Sequence, residues 1–314
     1  MKQIIAFLVL AAMMAIPALS EAADVSPEIS IVPTEWNSPA ERQGRVEAFD
    51  YTSGNAVKTA YVYLPYGYDD AAETRYNILY FMHGGGGWAA QFYNRDYALN
   101  DILDHAIESG EIEPLIGVSP TFYPPDDSDT SVGTAATLVS IFNEEFLHDL
   151  MPAVEMHYRT YAAGGQREDL IASRDHRAFG GFSMGSVTTW YQFLTVLDEV
   201  RYFLPFSGDC WALGQMSGRN QPEETAAYLA NYASNHAYGD AFYIYAMTGS
   251  DDIAYEAMHG QIEAMRQTDA FHFGATPDAG NISFGVLDGA THDYAFYRNY
   301  IYSALKTIWP QGSR

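Results

Sequence analysis

The sequence predicts a single α/β domain built on a doubly wound, mostly parallel sheet with an antiparallel hairpin at its N-terminal edge. Three observations predict it. From residue 76 onward, short apolar runs of strand length alternate with longer stretches of helical spacing, as in successive βαβ units. Runs such as 76–82 and 241–247 are apolar almost throughout, the pattern of strands buried on both faces. At residues 178–197 a strand-like run, the sequence Gly181-Phe182-Ser183-Met184-Gly185 and an apolar helical stretch follow one another without a gap.

The elements follow in order. Residues 23–45 are polar and contain proline, and read as a lead-in. Residues 46–51 and 58–64 form a hairpin about Ser53-Gly54-Asn55, with Ala60, Val62 and Leu64 on one face of the second strand. Residues 76–82 are the first core strand and end in His83-Gly84-Gly85-Gly86-Gly87-Trp88. Residues 99–108 have helical spacing with Ile102, Leu103 and Ile107 inward, and 115–118 are the next core strand. Residues 121–134, rich in Pro, Asp and Ser, are expected to form a long loop at a strand's carboxyl end. That position borders a ligand site in such sheets and suits a lid. A helix is expected at 142–154, a polar excursion at 161–175, and strands at 201–206, 241–247 and 281–287. Helices are expected at 223–234, 253–266 and 294–309. No repeat or linker interrupts residues 23–314, so they read as one domain.

Composition bounds the function. Of 314 residues, 48% are hydrophobic and 15% aromatic, enough for a large core. The net charge of −24, with 16 basic residues, excludes a nucleic-acid binder and an anionic-membrane binder, which need clustered Lys and Arg. Residues 1–22 read as a signal peptide: Lys2, an apolar stretch from Ile4 to Ile16 too short to span a bilayer, Pro17, then small residues. Export to the periplasm or the medium is expected, without a membrane anchor. One cysteine, Cys210, allows no internal disulfide. Neither metal nor cofactor is expected, since His-Glu-x-x-His and paired cysteines are absent. Oligomeric state is not legible.

The chemistry centres on Gly-x-Ser-x-Gly. A tight strand-to-helix turn needs small neighbours, here Gly181 and Gly185, and lifts the Ser183 hydroxyl above the sheet. The N-terminus of the following helix then faces any oxyanion formed there. A serine needs a base, and in α/β-hydrolases the order is Ser, acid, His, each after a core strand. Four histidines follow Ser183. His236 and His259 sit on or beside helices, His272 in a turn, and His292 alone directly past a core strand. Asp251 and Asp252 both follow the preceding strand; Asp251 is the preferred acid, with Asp252 the alternative. Four glycines after the first core strand suit a second oxyanion donor.

The chain resembles the feruloyl esterases of carbohydrate esterase family one, in the esterase D-like group of α/β-hydrolases, and in particular the esterase modules attached to bacterial xylanases. The likeness rests on Phe81-Met82-His83-Gly84-Gly85-Gly86-Gly87, Ser173-Arg174-Asp175-His176-Arg177, Gly180-Gly181-Phe182-Ser183-Met184-Gly185, Leu204-Pro205-Phe206-Ser207-Gly208-Asp209, Thr248-Gly249-Ser250-Asp251 and Gly289-Ala290-Thr291-His292. It spans about residues 45 to 310. The resemblance implies the α/β-hydrolase fold, Ser183 as nucleophile, Asp251 as acid and His292 as base, with the N–H groups of Gly85 and Met184 as oxyanion donors. It implies a feruloyl ester of xylan or its oligosaccharides as substrate, with Trp211 or Trp88 against the phenolic ring. Ser186 departs from the family's glycine and is expected to cause a slight repacking. The alternatives are an acetylxylan esterase or a related acyltransferase, and a non-catalytic carbohydrate-binding protein of the same fold. The presence of Ser183, an acid and His292 argues against the last.

Overall fold

The computed structural model describes residues 26–68, 73–94, 97–126 and 129–312; the expected signal peptide lies outside the described residues. The strands are β1 (Arg45–Ser53), β2 (Ala56–Leu64), β3 (Asn77–Met82), β4 (Leu115–Ser119), β5 (Arg177–Phe182), β6 (Tyr202–Phe206), β7 (Tyr243–Gly249) and β8 (Ile282–Leu287). They form one sheet in the order β1-β2-β4-β3-β5-β6-β7-β8. β1 pairs antiparallel with β2, and β2 antiparallel with β4. All other pairs are parallel. The predicted hairpin and doubly wound sheet are therefore present, and the fold is that of the α/β-hydrolases.

Both faces of the sheet are covered. Period-2 alternation sends Ile78, Tyr80 and Met82 of β3 into one core and Leu79 and Phe81 into the other. The first core is closed by the helices Met184–Phe193, Pro222–Asn235 and Tyr255–Met265 and by the helical run from Phe142 to His157. The second is closed by Leu99–Glu108 and Tyr294–Ile308. This double cover is why β3 to β7 are buried at every position.

Three segments differ from expectation. The 121–134 loop ends in a helix, Val132–Leu138, whose N-cap Ser131 accepts from Thr134 N at 3.2 Å. The 161–175 excursion holds a helix at Arg167–Ala172. The helical run from Phe142 widens to a π-turn at Phe146–Leu150 just ahead of Pro152. A proline ring collides with the carbonyl four residues earlier, and a wider turn relieves that collision.

Arg177 opens β5, fully buried, with its guanidinium forked onto Glu155 at 2.5 and 2.7 Å. Tyr80 and Thr160 complete the carboxylate's partners at 3.2 and 3.0 Å. This buried pair fixes the start of β5 against the helix Met151–His157.

Candidate active site

β3 has β4 on one side and β5 on the other, so chain order reverses between β3 and β5. A crevice opens at the carboxyl ends of strands at such a point. The glycine loop leaves β3 there, and Ser183 leaves β5 beside it.

Ser183 is the N-cap of the helix Met184–Phe193, at φ 58° and ψ −116°. That conformation costs about 1–3 kcal/mol for a residue with a side chain and is held by its surroundings. Ser183 N donates to Phe206 O at 2.9 Å. A Cβ on Gly181 would lie 2.5 Å from the Gly185 carbonyl carbon, and one on Gly185 only 2.2 Å from Met82 O. The two glycines let strand, helix and β3 meet at contact distance.

His292 follows β8. Its Nε2 accepts from the Ser183 hydroxyl at 2.9 Å, and its Nδ1 donates to Asp252 Oδ1 at 2.7 Å. The carboxylate fixes the tautomer, because an Nδ1 that donates to it leaves Nε2 free to accept. The ring also rests 4.8 Å from that of Phe182.

The expectation for Asp251 is corrected here: Asp252, not Asp251, meets His292. The ladder to β8 runs past the end of β7, with Ser250 N donating to Leu287 O and Asp251 N to Ala290 O, both at 3.0 Å. The chain then turns, leaving Asp251 exposed and Asp252 buried. Asp252 Oδ1 also accepts from Ala254 N at 2.7 Å. Burial opposes its charge. The His292 and Ala254 hydrogen bonds, the His292 charge and the Ser207 hydroxyl outweigh burial and hold the carboxyl below its ordinary value.

Among the described residues nothing takes the Gly85 N–H, whereas its neighbours are engaged. Gly84 N donates to the Tyr294 hydroxyl at 2.8 Å, Gly86 N to the Tyr123 hydroxyl at 2.9 Å, and Gly87 N to Gly84 O at 3.1 Å. The Met184 N–H opens a helix and so has no intrahelical acceptor. Gly85 and Met184 are adjacent: a Cβ on Gly85 would lie 3.2 Å from Met184 Cγ. These two N–H groups, without an acceptor among the described residues, lie on the two segments that flank Ser183: the glycine loop and the helix that Ser183 caps.

His83, fully buried, sits under this loop. Its Nδ1 is 2.7 Å from Gly84 O and its Nε2 2.7 Å from Thr121 Oγ1. A carbonyl can only accept, so Nδ1 carries the proton and Nε2 accepts from the Thr121 hydroxyl. Ser186 is also buried, and its hydroxyl donates to Gly208 O at 2.8 Å, an acceptor it shares with Trp190 Nε1. That hydrogen bond ties the elbow helix to the loop after β6.

Trp211 lies half-buried on that loop, its Nε1 donating to Asp209 at 3.0 Å. Trp88 is 48% exposed. It lines a cleft of about 320 Å³ with Val57, Tyr61, Pro124 and Pro125, on the β2 side of the glycine loop. The two tryptophans thus belong to different loops. Among the described residues no group of three or more His, Cys, Asp or Glu side chains could hold a metal ion.

The family model Esterase matches residues 53–308. The chain belongs to the esterase family. It is 42% identical over 274 residues to endo-1,4-beta-xylanase Y of Acetivibrio thermocellus, covering 87% of this chain and 24% of that protein. The chain thus spans about a quarter of the length of this relative. A solved S954A mutant of the feruloyl esterase module from Clostridium thermocellum, complexed with sinapinate, is 39% identical with a TM-score of 0.79, covering 90% of this chain and 94% of that one. The ferulic acid esterase of the anaerobic fungus Anaeromyces mucronatus is 18% identical at a TM-score of 0.66, over 90% of this chain and 97% of that one, and shares the fold. The 39%-identical relative is a feruloyl esterase module, and feruloyl esterases are carboxylic ester hydrolases.

Sequence reasoning ranked Asp252 behind Asp251 as the histidine's partner and missed the hydroxyls of Tyr294 and Tyr123. The first was one of two adjacent aspartates that residue type cannot separate. The tyrosines carried no signal, being two among 24.

Proposed function

We propose that the protein hydrolyses feruloyl and related hydroxycinnamoyl esters carried on plant cell-wall arabinoxylan, through an acyl-enzyme on Ser183. The observation that carries this reading is the unbroken relay Ser183–His292–Asp252 at 2.9 and 2.7 Å beside the free N–H groups of Gly85 and Met184. The Ser183 oxygen attacks the ester carbonyl as His292 Nε2 takes its proton. The carbonyl oxygen becomes an oxyanion held by Gly85 and Met184 N–H, and Asp252 stabilises the imidazolium. Collapse breaks the bond to the sugar oxygen, which leaves with the proton from His292. Water, deprotonated by His292, then attacks the acyl-enzyme, and the collapse releases the free acid and restores Ser183.

The substrate class is supported by the sinapinate bound to the 39%-identical module and by the xylanase name of the longer relative. Trp211 is the proposed surface for the phenolic ring. The proposed site of action is outside the cytoplasm, after removal of residues 1–22.

The test is ferulate release from methyl ferulate and from a feruloylated arabinoxylan oligosaccharide, wild type beside Ser183→Ala. Release by the wild type, faster on the sugar ester and lost in the variant, is expected. Release that survives Ser183→Ala overturns the nucleophile. Cleavage of acetyl esters alone moves the substrate to acetylxylan.

A further inference from the structure

The Gly85 N–H belongs to the same peptide unit as the Gly84 carbonyl. In a planar trans peptide these two point in opposite directions, so whatever fixes the Gly84 carbonyl aims the Gly85 N–H. Glycines on both sides of this unit make its rotation cheap. An unrestrained loop would turn the donor away from Ser183 for part of the time.

Three side chains prevent that rotation. His83 Nδ1 holds the Gly84 carbonyl from below at 2.7 Å. The Tyr294 hydroxyl takes the Gly84 N–H at 2.8 Å, on one side of the unit, and the Tyr123 hydroxyl takes the Gly86 N–H at 2.9 Å, on the other. Tyr123 in turn donates to Thr130 O at 2.7 Å, which ties the loop to the 121–134 segment. Tyr294 packs against Phe182 at 4.7 Å and against Phe92 and Tyr97, so its hydroxyl has a fixed origin.

We propose that Tyr294 and Tyr123 are positioning residues for catalysis: their hydroxyls pin the N–H groups on either side of Gly85 and hold the Gly85 N–H on the oxyanion. The proposal rests on the reading of Gly85 as an oxyanion donor. Tyr294 carries a further consequence. It lies two residues after His292, so one short segment supplies the base and secures the oxyanion loop. Burial raises the ionisation of both phenols above the ordinary value, so both stay neutral through the working pH range.

Removing one hydroxyl deletes no group that touches substrate. It lets the donor wander, and the loss should fall in the transition state, where the oxyanion exists, and not in ground-state binding. The experiment compares Tyr294→Phe and Tyr123→Phe with wild type for kcat and KM on methyl ferulate. It also measures inhibition by an aryl boronic acid, which forms a tetrahedral anionic adduct on the serine. Each variant is expected to lose about tenfold in kcat and about tenfold in boronate affinity, a fraction of the loss from deleting a donor outright. KM should stay within about twofold. A merely structural role would lower the melting temperature and leave kcat and boronate affinity at wild-type values at 25 °C; that result overturns the proposal. If Tyr294→Phe fails to fold, Tyr123→Phe, from a different segment, carries the same test. A Ser183→Ala control separates the two levels. Activity surviving in it overturns the reading of the site and the proposal together, whereas an inactive control beside undiminished tyrosine variants overturns only the proposal.

Discussion

His83 makes the fold sensitive to acid in a window set by its burial. The ring is fully buried, between the glycine loop and the rings of Phe122 and Tyr123 at 4.7 and 5.6 Å. Burial pushes its pKa from 6.5 down to about 4; the Gly84 carbonyl pulls the other way and the Lys58 charge adds to the depression. The folded protein therefore keeps His83 neutral while the unfolded chain protonates it near 6.5. Between these values the unfolded state holds more protons. The stabilisation is complete above about pH 6.5 and is lost as pH falls toward 4. Each tenfold difference in proton affinity between the two states is worth about 1.4 kcal/mol, so the full effect is about 3 kcal/mol, most of it lost by pH 4.5. The perturbation is His83→Asn, whose side-chain amide can still donate to Gly84 O but does not titrate. Urea midpoints of wild type and variant at pH 7 and pH 4.5 give a double difference in which every other titrating group cancels. The stability gap at pH 7 should shrink by about 2 kcal/mol at pH 4.5. A gap that stays constant or widens on acidification refutes the neutral, buried His83 and the hydrogen-bond directions assigned to it.

Three other outcomes follow from the same geometry. Asp252→Asn should lower kcat on methyl ferulate by about 10³–10⁴-fold, because an amide can hold His292 in the wrong tautomer, while Asp251→Asn stays within about twofold. Glu155→Gln leaves the buried Arg177 guanidinium without its counter-charge and should cost about 3 kcal/mol in a urea melt, with kcat unchanged in the protein that remains folded. Gly185→Ala drives a Cβ to 2.2 Å from Met82 O and 2.8 Å from His83 O, both backbone atoms that cannot step aside. It should give little soluble protein and, in what is soluble, at least about a hundredfold loss of ferulate release.

What the sequence made legible was what period and glycine spacing encode. The strands of 76–82 and 115–118 and the helix of 99–108 were readable because burial on both faces forces continuous apolar runs and burial on one face forces helical spacing. The elbow was readable because its steric demand is local: Gly181, Ser183 and Gly185 meet within one turn. The acid was not, because which of Asp251 and Asp252 faces inward depends on how far the β7–β8 ladder runs before the chain turns. That is a property of the partner strand. The short helices Val132–Leu138 and Arg167–Ala172 were hidden by polar faces and Pro- or Gly-rich flanks. The scaffold of the glycine loop was hidden for a different reason. Its contacts join residues 37 and 210 positions apart, and a tyrosine in a chain with 24 of them carries no motif.

Asp252, His292 and the glycine loop are not held independently. Ser250 N and Asp251 N donate to Leu287 and Ala290, which fixes where Asp252 emerges relative to the segment carrying His292. That segment continues to Tyr294, whose hydroxyl holds Gly84. The stretch 290–294 therefore sets two distances at once: His292 to Asp252 at 2.7 Å, and the glycine loop to the serine. Its position depends in turn on Gly249, where a Cβ would lie 2.0 Å from Ala290 O. A side chain there would push the whole segment off β7, lengthening the acid–base contact and withdrawing the Tyr294 hydroxyl together. Gly249 touches neither nucleophile nor substrate, yet the close approach it permits is as necessary to this arrangement as the one Gly185 permits at the elbow.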